Sequence, residues 1–453
     1  CGTAGTQACD PARCTWGECV PPLEMCNGVD DDCNELADDG FACVQGTTRD
    51  CQTACGTTGT QRCGAACEWE SCEPPPELCG NDIDDDCDGA TDVTEAAGES
   101  RTFGQAGANG TYAIAALGNE YVIGRLASSE NLGQELVLSW HDGDGTRLRS
   151  EQRTGIAGSA LGAGFRLTTG GGAIAVTWRD GTERKMMVVE EGLSAGREPL
   201  RLTGYALLYA HSPPPVVWTG NEFLTAVSRV VVGRRSAVRM RRVHREGQLA
   251  EGYFQVNEPT DGQFHLDMVW AEDSAGLVWH EPAASSRAMV RFARTDGAEL
   301  IGAVLEVSEV GENTGVLVKT PTVAFDGESF GIAWAEGEHE RGQIRFARAS
   351  RDEQVGDRRR VAITSLDSRF PRLVWNGFEY GLAWLDWHPL RSVGEIHFVR
   401  LRADGRRIGE PIRLAGNARL RPPDLFWDGA QYAVTFSTLE TESTIKLARV
   451  SCD

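Results

Sequence analysis

The chain has 453 residues, too many for one ordinary core, so it divides into at least two domains. Its formal net charge is −22, and residues 1–100 hold 22 Asp/Glu against three Lys/Arg (Arg13, Arg49 and Arg62), a net −19 that leaves −3 for the remainder. That concentration argues against nucleic acid as a partner and for cations, and no apolar run is long enough to span a membrane as a helix.

Fourteen of the 15 cysteines lie between Cys1 and Cys87, and the last is Cys452. Such density signals disulfides or zinc. Zinc is the weaker reading: the spacings are irregular, no His precedes His141, and the neighbouring groups are hard carboxylates. Disulfides imply an oxidising compartment, so export is expected, to the medium or to the outer surface of the cell. No signal peptide is visible.

The acidic region is a tandem repeat. "CGTAGTQAC" at 1–9 recurs as "CGTTGTQRC" at 55–63, "CTWGECVPPLEMC" (14–26) matches "CEWESCEPPPELC" (67–79), and both copies end in "DDDC", at Cys33 and Cys87. A repeat this short means small stapled modules, here residues 1–42 and 43–95. The second copy carries Cys43 and Cys51 ahead of its "CGT", and nothing equivalent precedes Cys1. The chain therefore starts inside a module, and further polypeptide ahead of Cys1 is expected; a lipidated Cys1 is the competing reading. Sequence does not fix connectivity, but nearest-neighbour pairing is the simplest scheme: Cys1–Cys9, Cys14–Cys19, Cys26–Cys33, Cys43–Cys51, Cys55–Cys63, Cys67–Cys72 and Cys79–Cys87. Cys452 is left to staple the C-terminus back to this region or to bond another chain.

The segment "NDIDDDCDGATDVTE" (81–95) packs seven carboxylates into 15 residues. Counted from Asp84, positions 1, 3 and 5 are Asp84, Asp86 and Asp88. Gly89, Asp92 and Glu95 fall at 6, 9 and 12, and the carbonyl of Ala90 at 7. This is the spacing of an EF-hand calcium loop, in which alternate carboxylates on a turning chain converge on one cation. The flanks are rich in Cys and Pro, so an isolated loop pinned by disulfides is expected rather than a helix pair. The first copy, "DDDCNELADDGF" from Asp30, is poorer. Asp30, Asp32, Asn34, the carbonyl of Leu36 and Asp38 fit, but Glu35 replaces the glycine and Phe41 the closing Glu, so weaker binding or a ligand borrowed from Asp39 is expected. A solvated acidic turn without an ion is the bland alternative for both.

"CNGVDDDC" (26–33) and "CGNDIDDDCDG" (79–89) resemble the MopE-type metal-binding repeats of large secreted or surface proteins of bacteria. The resemblance covers residues 1–95. It implies a bacterial, exported protein and a bound metal, with calcium as the expected cofactor. The copper site for which that family is named has no residues that can be placed in this sequence.

From residue 96 the pattern changes. "VWTGNEFLTAV" (217–227), "AFDGESFGIAW" (324–334), "VWNGFEYGLAW" (374–384) and "FWDGAQYAVTF" (426–436) are copies of one phrase, with degenerate copies at 116–124, 168–178 and 269–279. A short apolar strand, a Gly turn and an alternating strand are followed by a third strand, "VRFAR" (290–294), "IRFAR" (344–348), "IHFVR" (396–400) or "IKLAR" (445–449), and then by a polar outer strand. Four strands per unit, seven times, predict an all-β fold: a seven-bladed β-propeller over residues 96–453, preceded by small disulfide-rich calcium-binding modules. The last unit stops after its third strand, so a strand near 101–105 is expected to close the ring. Trp218, Phe325, Trp375 and Trp427 read as inter-blade packing. His141, His244 and His397 show no metal spacing. The basic run at 234–245 reads as an edge strand guarded by charge or as an anion-binding surface.

No hydrolase, metalloprotease or nucleotide-binding motif is present. The expected function is a calcium- and disulfide-braced stalk that presents a propeller for binding or adhesion, to a glycan, to a protein or to a copy of itself. The alternatives are a structural subunit of an extracellular layer or fibre, and a propeller glycosidase or lyase using inward-facing acids, for which Asp267, Asp386 and Asp424 are the candidates.

Overall fold

The computed structural model describes the chain except for residues 1–3, 14, 18, 76, 78–82, 90–94, 97–99, 106–110, 119, 144, 162–163, 191–197, 205–212, 234, 261–263, 284–286, 309–315, 339–340, 363, 365, 440–443 and 452–453. The expectations for Cys1, Cys14, Cys79, Cys452, Ala90 and Asp92, and for the side chain of Glu95, fall outside the described residues. Two compact units are present, residues 1–93 and 94–452.

The second unit is a seven-bladed β-propeller. Seven antiparallel sheets follow one another, beginning at Tyr112, Phe165, Val216, Phe264, Val316, Asp367 and Asp424. The first six each contain four consecutive strands. In the seventh, Asp424–Trp427, Tyr432–Ser437 and Thr444–Ser451 are joined by Arg101–Gln105, with Thr444 opposite Gln105 and Leu447 opposite Arg101. Glu95–Ala96 pairs further along the same strand. Closing the ring with a strand from the start of the domain removes the open edge that a three-stranded last blade would leave.

The recurring phrase has a packing cause. In four blades the aromatic that ends the inner strand packs against the ring five residues on, edge-on in three of them and tilted in Phe325–Phe330. Trp218–Phe223, Trp375–Tyr380 and Trp427–Tyr432 have centroids 4.8, 4.7 and 4.8 Å apart, and Phe325–Phe330 5.0 Å. In three of these pairs the second ring leans onto the preceding blade, where a glycine makes room. A Cβ on Gly276, Gly331 or Gly381 would lie 2.4–2.5 Å from Phe330, Tyr380 or Tyr432 respectively. Only a residue without a side chain permits that approach.

The arginine that closes "IRFAR", "IHFVR" and "IKLAR" also joins blades. Arg348 pairs with Asp326 at 2.6 Å, and the Tyr380 hydroxyl of the next blade donates to the same carboxylate at 2.8 Å. Arg400 pairs with Glu379 at 2.6 Å, and the Tyr432 hydroxyl donates to Glu379 at 3.1 Å. Arg449 pairs with Asp428 at the seam where the ring closes. Burial pushes the Tyr121 phenol of the first blade up to about 12, with Asp428 adding to the rise and Arg449 opposing it.

The basic run is not an edge strand. Arg235–His244 is the third of four strands, paired along its length to Glu222–Val232, and the outer strand Phe254–Gln255 covers only Arg239 and Met240. Ser236–Met240 are buried without a break and Val243 is buried too, as a strand between two neighbours requires. His141 and His397 are structural: His141 bonds Gly145 O and Ser139 Oγ at 3.0 and 2.9 Å, and His397 stacks on Trp384, while His244 is exposed beside Glu222 at 3.7 Å.

The first unit has little core and is held by staples. In the second repeat copy, Thr48–Gln52 and Thr58–Arg62 form a hairpin, and Thr60 exchanges backbone bonds with Glu73 at 2.9 Å on the other side. Among the described residues the disulfides are Cys26–Cys67, Cys43–Cys63, Cys51–Cys72 and Cys55–Cys87, not pairs of neighbours. The reason is geometric. Cys55 lies in the hairpin turn and Cys63 just past the far end of Thr58–Arg62; that strand is extended at about 3.3 Å per residue, so the two lie beyond the limit of about 7 Å for bridging, whereas cysteines on neighbouring segments meet it. Cys26–Cys67 links the two repeat copies. Cys33 is also disulfide-bonded, while Cys9 and Cys19 are free.

Candidate functional site

The two acidic loops share one local geometry. Asp84 accepts from the amides of Asp88 and Gly89, both at 3.1 Å, and Asp86 from Asp88 at 3.1 Å. Asp30 accepts from Asn34 and Glu35 at 3.1 and 3.0 Å, and Asp32 from Asn34 at 3.1 Å. Gly89 has a φ of 94° and Glu35 one of 74°, so the first loop makes the same left-handed turn without glycine, at a conformational cost.

A glutamate outside the spacing pattern completes each loop. Glu77 accepts from Asp85 and Asp86 amides at 2.6 and 3.3 Å, and Glu24 from Asp31 and Asp32, both at 2.7 Å. Oxygens of Glu77, Asp84 and Asp86 lie within 4.8 Å of one another, as do those of Glu24, Asp32 and Asp39. The two glutamates end the matched "PPLE" and "PPPE" segments, and that equivalence was the signal available in the sequence. Desolvation, with Asp39 and Glu24 beside it, raises the Asp32 carboxyl above its ordinary value.

Not every expected ligand joins these groups. The Asp38 carboxylate is taken by the amides of Asn27, Gly28 and Gln45 at 2.7–3.1 Å, and its own amide donates to Glu24. Desolvation opposes ionisation of Asp38, but those amides outweigh it and hold its carboxyl below the usual range. Asp39 stands in the first cluster instead. Asn34 caps Asp32 and Leu36 through its side chain, and the exposed Asp88 contributes its amide to the second loop.

A second candidate site lies on the propeller axis. A cavity of about 600 Å³ is lined by the inner strands of all seven blades. Arg166, Asp267, Arg372 and Asp424 line it from one register position, opposite Thr177, Val278, Ala383 and Thr435, and the buried Thr322 holds the same position opposite Ala333. In the last four the residue stands three places before the aromatic anchor, so the ring was readable from the repeat. In three blades a left-handed residue precedes it, His265, Thr320 or Phe370, with φ of 52°, 44° and 55°, at a register shift in the strand. Such bulges re-aim side chains next to sites.

The ring is charged. Arg166 pairs with Asp267 at 2.9 Å, reaching past the blade that places Pro215 in the lining, and Thr322 Oγ1 donates to Asp267 at 2.9 Å. Burial raises the Asp424 carboxyl, and Arg372, Arg421 and Arg166 oppose the rise. Burial, then Arg166, lowers Arg372. Of the three acids expected to face inward, Asp267 and Asp424 line the cavity and Asp386 does not. Asp386 is fully buried, accepting from Trp384 Nε1 at 2.9 Å and Ser368 Oγ at 2.6 Å.

No protein-family model matches the chain, and no curated protein matches it. Among solved structures, the β-propeller domain of the Trilobed protease from Pyrococcus furiosus is 9% identical with a TM-score of 0.45, over 74% of this chain and 94% of that one. The polysaccharide lyase Uly1 is 10% identical with a TM-score of 0.48, over 76% of this chain and 91% of that one. A subtype N11 neuraminidase-like protein of influenza A from a flat-faced bat in Peru is 6% identical with a TM-score of 0.41, over 83% of this chain and 97% of that one.

Proposed function

We propose that this is an exported protein of a bacterial surface or medium that binds calcium in its two acidic loops and a glycan in the axial cavity of its propeller. The observation that carries the metal reading is the recurrence of one loop geometry, each time gathering three carboxylates within 4.8 Å. Three negative charges at that spacing repel, and a hard cation relieves them. The donors are all oxygen, which favours calcium over softer metals. The likeness of the motif to MopE-type repeats supports the same reading, and the disulfides support export. Extracellular calcium modules bind at about 10⁻⁴–10⁻³ M, so calcium here is a structural brace in a millimolar medium.

The cavity suits a sugar. It has the volume of a small-molecule site, with Phe165, Phe370 and the prolines Pro213, Pro215 and Pro321 for ring faces, and Arg166, Arg372, Asp267 and Asp424 for hydroxyl and acidic groups. A second reading, a glycosidase or lyase, is favoured by Asp424, a carboxyl with raised proton affinity in the same cavity as the ion-paired Asp267.

The test is elemental analysis of the purified protein by plasma mass spectrometry, before and after chelator dialysis. About two calcium ions per chain, one per loop, are expected, with protease resistance of residues 1–93 lost on chelation. Stoichiometric copper or zinc, or no metal in millimolar calcium, overturns the metal reading.

A further inference from the structure

The two repeat copies differ in what covers them. In the second copy the outer edge of strand Thr58–Arg62 is filled by Thr48–Gln52, with Cys51 opposite Gly59 and Arg49 opposite Gln61. That segment also supplies Cys43 and Cys51 to the disulfides with Cys63 and Cys72. Its Arg49 lies 4.2 Å over the Trp69 ring and bonds Gln61 at 3.1 Å.

The first copy has the same frame without that segment. Thr6 exchanges backbone bonds with Val20 at 2.8 Å, and Gly17 donates to Ala8 at 2.8 Å, as Thr60 does with Glu73 and Glu70 with Arg62 at 2.9 Å. Cys9 faces Trp16 as Cys63 faces Trp69. A Cβ on Gly5 would meet Cys19 Sγ at 2.6 Å, as one on Gly59 would meet Cys72 Sγ at 2.9 Å. Thr6 turns its polar backbone atoms toward Val20, so alternation turns those of Gly5 and Gln7 to the opposite edge. Among the described residues, no strand pairs with that edge.

Everything the segment covers in the second copy is open in the first. Cys63 is 1% exposed, and its counterpart Cys9 is exposed and free. Cys72 is disulfide-bonded, and its counterpart Cys19 is exposed and free. Trp69 is partly covered, while Trp16 is 69% exposed.

We propose that this edge is a half-site for a β-strand from outside residues 1–453 that carries two cysteines with seven residues between them, as Cys43 and Cys51 have, and that Cys9 and Cys19 lock that strand in place through two disulfides. The strand adds to the edge by backbone bonds, and the thiols fix its register. Each disulfide forms by exchange. The Cys9 or Cys19 thiolate attacks a small disulfide such as oxidised glutathione and releases one glutathione thiolate. The strand's thiolate then attacks the protein sulfur of the mixed disulfide and releases the second. Two disulfides consume two molecules of oxidised glutathione and yield four thiols.

The test uses the full chain and a synthetic peptide of residues 41–53, FACVQGTTRDCQT, in a glutathione redox buffer, read by intact mass and disulfide mapping. One peptide per chain is expected, its first cysteine on Cys9 and its second on Cys19. Coupling should run about tenfold faster than for a scrambled peptide with the same cysteine spacing, because docking raises the local thiol concentration. Equal coupling of the scrambled peptide, or random pairing of the cysteines, overturns the proposal. So does a Cys9–Cys19 disulfide within the chain, or a covalent dimer through these thiols that excludes the peptide.

Discussion

The inter-blade pair Arg400–Glu379 offers a sharp test of how the propeller is held. Both side chains are at most 1% exposed, they meet at 2.6 Å, and the Tyr432 hydroxyl of the next blade donates to the same carboxylate oxygen. Glu379→Ala leaves a guanidinium in a site that water does not reach. Breaking one side of a buried pair costs about 3–5 kcal/mol, because the surviving charge is left uncompensated. Replacing both partners by apolar groups of similar volume removes that penalty, so Glu379→Leu with Arg400→Met is expected to cost about half as much or less. Tyr432→Phe removes one hydrogen bond and keeps the ring, for about 0.5–1.5 kcal/mol. The assay is urea unfolding followed by tryptophan fluorescence, for which the fully buried Trp140, Trp178, Trp279, Trp334 and Trp384 are reporters inside the propeller. A Glu379→Ala cost below about 0.5 kcal/mol, the level of an ordinary surface change, would refute the reasoning, as would a double variant worse than the single one.

Gly381→Ala puts a Cβ 2.4 Å from the Tyr432 ring and is expected to cost about 1–3 kcal/mol by overpacking, read in the same assay. Asp84→Asn with Asp86→Asn should abolish calcium binding in the second loop while the first still binds, measured by calorimetry. Asp424 has a raised folded-state carboxyl, so its contribution to stability is full below the ordinary carboxylate range and is lost as pH rises through the raised value. Asp424→Asn should therefore flatten the fall in stability as pH rises past the ordinary carboxylate range, seen in melting temperature against pH.

The blade count, the closing strand near 101–105 and the role of the aromatic anchors were legible because each propeller unit repeats the same burial problem. Where packing recurs, the sequence records it: Gly331 and Gly381, Tyr380 and Tyr432, Arg348 and Arg400 are one solution written twice. The disulfides were not legible, because spacing along the chain says nothing about which strands lie side by side. Cys51 reaches Cys72 only because Thr48–Gln52 and Thr58–Arg62 form a hairpin with the 72–73 segment beyond it. The acidic loops were half legible. Alternating Asp residues marked the turn, but Glu24 and Glu77 act from several residues upstream through backbone amides. Asp38 looked like a ligand by position, yet its carboxylate serves the amides of Asn27, Gly28 and Gln45.

The connectivity also ties the acidic loops to the redox state of the chain. Cys87 sits between Asp86 and Asp88, with a φ of 63°, and its disulfide holds the second loop to Cys55 in the turn of the hairpin. Thr57 Oγ1 donates to the Asp85 carbonyl at 2.9 Å from the same place. Cys33 occupies the matching position in the first loop, with a φ of 67°, and is bonded too. A closed loop of about 30 residues restricts the unfolded chain by about 3–4 kcal/mol, and here that restriction acts on the segment whose carboxylates repel one another. On the proposed calcium reading, disulfide and cation would stabilise the same turn, one through the unfolded state and one through the folded. Reducing Cys55–Cys87 is then expected to weaken calcium binding, because the ligands must be gathered from a looser chain, and calcium titration by calorimetry before and after reduction checks it.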